Sequence, residues 1–324
     1  MKKALILGVT GQDGSYLADF LLKHGNYEVF GSHRRTSHKL FERLEELDIL
    51  YKFDLVKLDV NDQISINKAM KEIQPDEVYN LAAQSFVGVS FGQPILTTNV
   101  TGLGALRVFE AVKEYCPDAK VYQASSSEMF GNSNEKKNEL TRLYPESPYG
   151  IAKVFAHKTA QHYRKAYNMF ISCGILFNHE SPLRGIEFVT RKITYNIARI
   201  MAKKKTHFSL GNVQAKRDWG YAPEYVKVMW MMLQQNLPSD YVVSTGESHS
   251  VEEFLSDAFE YAGLGDWESY VDVGNKTDLR PSDIDNLVGD STKAKTELKW
   301  EAKTKYKELV KIMVDSDLKS FGLK

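Results

Sequence analysis

Ser126, Glu128, Tyr149 and Lys153 bring a hydroxyl, a carboxyl, a phenol and an amine into one stretch of chain, AlaSerSerSerGluMetPheGly at 124–131 followed by SerProTyrGlyIleAlaLys at 147–153. Tyr149 and Lys153 stand at i and i+4, so on a helix they share a face. An ammonium close to a phenol favours the phenolate, and the spacing predicts a Tyr149 hydroxyl lowered from about 10 towards neutrality. A phenol tuned in this way takes a proton from an alcohol while hydride leaves the same carbon. Tyr-x-x-x-Lys pairs also arise by chance in helices, so the rest of the chain must supply a hydride acceptor before the pair means chemistry.

The N-terminal end supplies one. AlaLeuIleLeuGly at 4–8 is an uninterrupted apolar run of the kind found in parallel sheets covered on both faces. It enters Gly8-Val9-Thr10-Gly11-Gln12-Asp13-Gly14, after which apolar residues recur at helical spacing until Gly25 stops the helix. Strand, glycine turn and helix are the setting for a dinucleotide pyrophosphate: a tight turn, close backbone approach and a helix N-terminus facing the charge. A second strand over 27–31 ends in Ser32-His33-Arg34-Arg35-Thr36-Ser37, where an NAD-binding chain usually offers a carboxylate to the ribose 2′-hydroxyl. Two guanidiniums and nearby hydroxyls suit a 2′-phosphate instead, which predicts NADP. An exposed basic loop or a subunit contact is the competing use of that segment.

The elements that position both ends alternate. Strands are predicted over 53–60, 77–83 and 119–125, and helices over 64–73, 94–115 and 149–167. Asp59, at the end of the third strand, could accept from an adenine amino group, and Ala82 and Ala83 are small enough for a cofactor to pass. Repeated βα units predict an α/β chain with a doubly wound parallel sheet. After 172–177 the alternation loosens. Asn178, His179, Arg184, Arg191, Lys192 and Arg217 give a density of polar and cationic side chains suited to a diphosphate. A helix over 223–236 and a strand over 240–245 return to the sheet, and a remainder with Arg280-Pro281-Ser282-Asp283 and a helical tail completes a smaller, mainly C-terminal α/β lobe. The expected division is 1–177 plus 218–245 for the dinucleotide, and 178–217 plus 246–324 for a substrate.

The chain has 324 residues, and its 42 Lys and Arg balance 42 Asp and Glu, so charge points to neither nucleic acid nor a membrane surface. No apolar run approaches a membrane span. Cys116 and Cys173 are the only cysteines, without disulfide or metal spacing, and a cytoplasmic location is expected.

ThrGlyGlnAspGly at 10–14, LeuAlaAlaGlnSer at 81–85 and Tyr149-x-x-x-Lys153 resemble the extended short-chain dehydrogenase/reductase superfamily, with its Rossmann-type sheet. Within it the chain resembles the GDP-mannose 4,6-dehydratase family. The runs that carry this are AsnValThrGlyLeuGly at 99–104, GlnAlaSerSerSerGluMetPheGly at 123–131, LeuPheAsnHisGluSerPro at 176–182, PheValThrArgLysIle at 188–193, LeuGlyAsn at 210–212, AlaLysArgAspTrpGlyTyrAla at 215–222 and AspSerThrLysAlaLys at 290–295. The resemblance implies a tightly bound NADP, regenerated each cycle and held by Gly8, Thr10, Gly11, Gln12, Asp13, Gly14, Arg35, Ser37, Asp59, Val60, Leu81, Ala82, Ala83, Ser85, Tyr149, Lys153, His179 and Arg184. It implies a GDP-linked sugar held by Ser85, Ser126, Glu128, Asn178, Val189, Lys192, Arg217, Arg280 and Asp283, and a homodimer or homotetramer. It also implies roles: Tyr149 deprotonates the 4-hydroxyl, Lys153 tunes it, Ser126 binds the 4-oxygen, and Glu128 removes the C5 proton and helps the 6-hydroxyl leave.

Glu128 separates reaction types, because a simple epimerase or reductase needs the hydroxyl, phenol and amine but no carboxyl two residues after the hydroxyl. The family pattern is interrupted at Phe86, where it has His, at Leu183, where it has Arg, and at Ser282-Asp283-Ile284. These departures concern the sugar. The expected reaction is conversion of GDP-mannose to GDP-4-keto-6-deoxymannose. The alternatives are the same reaction on GDP-N-acetylglucosamine or a GDP-heptose, or a nucleotide-sugar 4-keto reductase or epimerase.

Overall fold

The structure, a computed structural model, describes residues 1–37, 39–133, 135–275 and 279–324. β1 (Lys2–Leu7) has Ala4, Leu5, Ile6 and Leu7 fully buried. Ala4 and Ile6 join the core on one face of the sheet, and Leu5 and Leu7 the core on the other, as the period-two geometry of a doubly covered strand requires. α1 (Gln12–His24), β2 (Tyr27–His33), α2 (Glu42–Glu46), β3 (Asp54–Lys57), α3 (Gln63–Ile73) and β4 (Glu77–Asn80) follow. β3 and β4 are shorter than the apolar runs suggest. Asp59, Leu81, Ala82 and Ala83 therefore lie in the turns beyond the strand ends, where ligands bind in such sheets.

α4 (Val87–Gly92) ends before Pro94, and the helix expected over 94–115 runs from there as α5 (Pro94–Thr97), a π-helical turn at Thr98–Leu103 and α6 (Gly104–Tyr115). Pro94 lacks a donor for the preceding turn, so a continuous helix through it is blocked. β5 (Lys120–Ser126) ends in a 3₁₀ turn, Ser127–Met129. α7 (Pro148–Ala166) starts where the sequence dictates: Ser147 Oγ accepts from the Gly150 N–H at 3.0 Å, and Pro148 needs no partner at the first helical position. That cap, worth about 1 kcal/mol, sets the start of the helix one residue before Tyr149.

β6 (Ile171–Leu176), β7 (Asn178–Glu180), α8 (Val189–Met201), β8 (Phe208–Leu210), β9 (Lys216–Arg217), β10 (Trp219–Tyr221), α9 (Ala222–Leu233) and β11 (Asp240–Val243) come next. The chain closes with β12 (His249–Ser250), α10 (Val251–Ala262), β13 (Val271–Val273), β14 (Asn286–Leu287), α11 (Thr292–Leu298) and α12 (Tyr306–Ser320). The main sheet is parallel throughout, in the order β11-β6-β5-β4-β1-β2-β3. The direction of winding reverses at β1, between β2 and β4, and a crevice opens there at the C-terminal strand ends. A separate core built from α8, α10, α12, β8 and β13, with Trp219, Phe254, Phe259 and Tyr306 at its centre, lies beyond that crevice. Among the described residues no helix is long and apolar enough to cross a membrane.

Candidate active site

The crevice is one cleft whose lining runs from the glycine turn, along β5 and α7, to the 178–190 segment, Arg217, Arg280 and Asp283. Of the residues singled out in the sequence, Gly8, Gly11, Gln12, Asp13, Gly14, Leu81, Ala83, Ser85, Ser126, Glu128, Tyr149, Lys153, Asn178, His179, Arg184, Val189, Arg217, Arg280 and Asp283 line it. Thr10, Arg35, Ser37, Asp59, Val60, Ala82 and Lys192 lie outside that lining. Arg35 and Ser37 are exposed just past β2, and Val60 is buried.

The glycine turn is shaped for a pyrophosphate. Gly8 has φ +86°, and a Cβ on Gly14 would lie 2.4 Å from the Gly8 carbonyl oxygen, so the turn closes only with glycine at these two positions. Gly11, at the N-cap of α1, offers no side chain to the first-turn N–H groups, which leaves them for an anion. No carboxylate stands at the end of β2. Ser32 is there instead, and its Oγ accepts from the Gly8 N–H at 3.3 Å.

Asp13, in the same turn, carries a charge that would repel a phosphate if left alone. Its Oδ2 lies 2.8 Å from His179 Nε2, and Gln12 Nε2 donates to its Oδ1 at 3.0 Å. His179 Nδ1 lies 2.7 Å from the Phe177 carbonyl. A carbonyl and a carboxylate only accept, so both ring nitrogens carry protons and His179 is an imidazolium. Burial alone would push Asp13 up, but the imidazolium and the hydrogen bonds from His179 and Gln12 outweigh it and hold the carboxyl at about 2. Burial likewise pulls His179 down and is outweighed by Asp13, so its pKa is raised above the usual 6.5. The Asp13 contribution is present above pH 3.8 and lost as pH falls through about 2, whereas the His179 contribution is complete below pH 6.5 and lost as pH rises through the raised value. The stability difference between wild type and His179→Asn is therefore expected to be about 2 kcal/mol near pH 5.5 and smaller at an alkaline pH where His179 has lost its proton. Denaturant melts at the two pH values check this, and a difference that grows towards alkaline pH would refute it.

At the centre, Ser126 Oγ accepts from the Glu128 N–H at 3.2 Å and so caps the 3₁₀ turn that projects Glu128. Lys153 Nζ donates to the Ala124 carbonyl at 2.7 Å and lies 5.7 Å from the Tyr149 ring centre. Here the structure corrects the sequence. Tyr149 is not lowered in this site: burial pushes it up to about 12, Ser126 acts in the opposite direction through a hydrogen bond, and Glu128 adds to the rise. The ammonium expected to lower it is itself desolvated, and burial pulls Lys153 down to about 8.

Two further expectations change. Arg191 does not face the cleft as a diphosphate ligand, because its guanidinium is bound to buried Asp317 at 2.9 and 3.0 Å. Position 183 does not touch the sugar region. Leu183 is buried outside the lining, and its carbonyl accepts from Arg43 Nε at 2.7 Å. Arg43 was not legible as a site residue, yet its Nη1 also donates to the Thr10 carbonyl at 3.2 Å, joining the glycine turn to the 181–184 loop. Phe86 does line the cleft, packed edge-on against Phe188 at 5.3 Å, with the Arg184 guanidinium 3.6 Å over the Phe188 ring. Arg184 Nε also lies 3.1 Å from Glu180 Oε2, an ion pair whose angle falls short of a hydrogen bond. Asp283 stands between two guanidiniums, 3.1 Å from Arg217 Nη2 and 3.3 Å from Arg280 Nη1.

A doubly wound sheet with a glycine turn at its switch point, and a Ser-Tyr-Lys group at the end of β5 and on α7, defines an enzyme of the short-chain dehydrogenase/reductase class. The profile of the family described as GDP-mannose 4,6 dehydratase matches residues 5–313. The chain is 49% identical to GDP-mannose 4,6 dehydratase 1 of Arabidopsis thaliana, over 98% of this chain and 90% of that one. It is 44% identical to the Homo sapiens GDP-mannose 4,6 dehydratase, over 97% and 91%. The chain belongs to the GDP-mannose 4,6 dehydratase family. Among solved structures, a dTDP-glucose 4,6-dehydratase of Streptomyces venezuelae with NAD bound superposes with TM-score 0.87 at 18% identity, covering 99% of this chain and 98% of that one. A Thermus thermophilus UDP-glucose 4-epimerase in complex with NAD gives 0.84 at 24% identity, covering 97% and 98%.

Proposed function

We propose that this enzyme catalyses the NADP-dependent 4,6-dehydration of GDP-mannose to GDP-4-keto-6-deoxymannose. The observation that carries the reading is Glu128, a buried carboxyl on the same cleft wall as Ser126 and Tyr149, in the field of Arg217. A nicotinamide dinucleotide on the glycine turn supplies the acceptor for the C4 hydride and its return to C6. The glycine turn at 8–14 and the small residues at 82–83 support its fit, and Arg35 and Ser37 with Ser32 at the end of β2 support the 2′-phosphate form.

The chain's own residues then divide the proton work. Tyr149 accepts the 4-hydroxyl proton as C4 becomes a carbonyl, Ser126 holds that oxygen, and Lys153 steadies the charge on the phenolate. The new 4-keto group acidifies C5–H, and Glu128 takes this proton. Protonated Glu128 passes it to the departing 6-hydroxyl, which leaves as water. As hydride returns to C6, C5 takes a proton from Glu128, which solvent has reprotonated, and Tyr149 releases to solvent the proton it took, so the site ends as it began. Arg217 and Arg280 face the diphosphate, with Asp283 fixing both guanidiniums, and Asn178 and Val189 complete the nucleotide end.

Phe86 is the specific reason to try a second sugar, since an aromatic ring lines the cleft where the family pattern has an imidazole. The test incubates the enzyme and NADP⁺ in deuterated water with GDP-mannose and, separately, GDP-N-acetylglucosamine. The expected result is a product from GDP-mannose that has lost one water and carries one deuterium at C5. Water loss from GDP-N-acetylglucosamine alone would move the substrate to the amino sugar, and no water loss from either would overturn the dehydratase reading.

A further inference from the structure

α7 carries Tyr149, Lys153, His157 and Gln161 at four-residue intervals, so the four form one slowly winding stripe along the helix. The first two reach the cleft, and the proton work above leaves the other two without a role. His157 is 3% exposed. Its Nδ1 lies 2.9 Å from Ser125 Oγ, and its Nε2 lies 3.1 Å from Gln161 Nε2. Lys158 Nζ donates to Gln161 Oε1 at 3.1 Å, which orients the amide with its nitrogen towards His157, and that nitrogen also donates to Asp240 Oδ2 at 2.8 Å. An amide nitrogen only donates, so His157 Nε2 accepts and its Nδ1–H donates to Ser125. Burial pulls His157 down to about 4, which keeps this neutral tautomer at neutral pH. Asp240 is ion-paired with Arg164 at the far end of the chain of bonds. His157, Cys173 and Asp240 lie close enough to share a metal ion, but a guanidinium already binds the carboxylate and the accepting ring nitrogen is taken, so the cluster reads as a hydrogen-bonded strut.

The near end of this strut meets three consecutive residues of β5. The Ala124 carbonyl receives Lys153, Ser125 receives His157, and Ser126 faces Tyr149. We propose that His157 is a positioning residue: its Nδ1–H bond to Ser125 pins the end of β5 to α7 and thereby sets Ser126 against Tyr149 and the Ala124 carbonyl against Lys153. The proposal rests on the dehydratase reading for its kinetic consequence, because misplacing catalytic groups by about 1 Å costs up to roughly 100-fold in rate.

The test compares His157→Asn, which keeps a donor where Nδ1 stands, with His157→Gln, which reaches only the place of Nε2, and with Ser125→Ala. His157→Gln and Ser125→Ala are expected to lower kcat for GDP-mannose roughly 10- to 100-fold with KM within about twofold, and His157→Asn to restore kcat to within about threefold. All three are expected to melt cooperatively as folded enzymes and to bind NADP⁺ measurably by calorimetry, with the melting temperature of His157→Asn nearer wild type than that of the other two. Equal impairment of the Asn and Gln variants, or no impairment in any, would overturn the proposal. Inactive wild type would count against the dehydratase reading instead. A second measurement then decides without substrate: a ¹³Cζ-tyrosine NMR titration of Tyr149, assigned with Tyr149→Phe. It is expected to shift in His157→Gln and Ser125→Ala but not in His157→Asn, and an unshifted signal in all three would sink the strut.

Discussion

Glu128→Gln is expected to lower turnover of GDP-mannose by roughly 10²- to 10⁴-fold, the usual worth of a general base, while leaving the fold intact. The substitution keeps the side-chain volume and leaves the Glu128 N–H on Ser126 Oγ. Arg217 loses one of two anionic neighbours but keeps Asp283 at 3.1 Å and the Ile284 carbonyl at 2.7 Å, so its guanidinium stays compensated. What disappears is the group that takes the proton from C5. The variant should still form a 4-keto sugar, which borodeuteride traps at C4, but should place no deuterium at C5 and release no water. Normal C5 exchange in Glu128→Gln would remove the carboxyl from this role and favour the reductase or epimerase reading.

Tyr149→Phe is expected to act one step earlier, with a fall of similar size and no trapped 4-keto sugar. The phenol meets Ser126 and lies beside Lys153 at the end of β5. Burial holds it near 12, so it is protonated at neutral pH before substrate and dinucleotide bind. Its function as a base requires the loaded site to lower that value, and Phe removes the proton acceptor altogether. Because oxidation precedes elimination, the Tyr149→Phe, Glu128→Gln double variant should be no slower than Tyr149→Phe alone, a non-additivity expected of groups acting in sequence on one substrate. A Tyr149→Phe enzyme that accumulates 4-keto sugar as Glu128→Gln does would assign the first proton to another residue.

Much of this site is local chemistry, and local chemistry was legible. The run 4–8, the glycine turn and Gly25 mark a strand, a phosphate turn and a helix through neighbouring residues alone, and Ser147-Pro148 marks the start of α7, which places Tyr149 and Lys153 on one face. The alternation of such units also implied the parallel sheet. Element details were less legible: β3 and β4 stop before the apolar runs do, and the helix expected over 94–115 contains a π turn at Thr98–Leu103. Arg191 was read as a diphosphate ligand because its partner, Asp317, comes from α12 and nothing near it in sequence announces that pairing. Arg43 was passed over for the same reason, since its acceptors belong to Thr10 and Leu183.

The chemical groups of the reaction are legible in the sequence alone, because the hydroxyl, carboxyl, phenol and amine lie within two short segments whose spacing is set by helix and strand geometry. Only the tertiary structure decided how those groups are tuned and held. Whether the ammonium or burial governs Tyr149 depends on how much water α7 and β5 exclude between them. Whether a cation faces the cleft or the core depends on which distant carboxylate folding brings to it, and the His157 strut exists only because Ser125 and Asp240 arrive from separate strands.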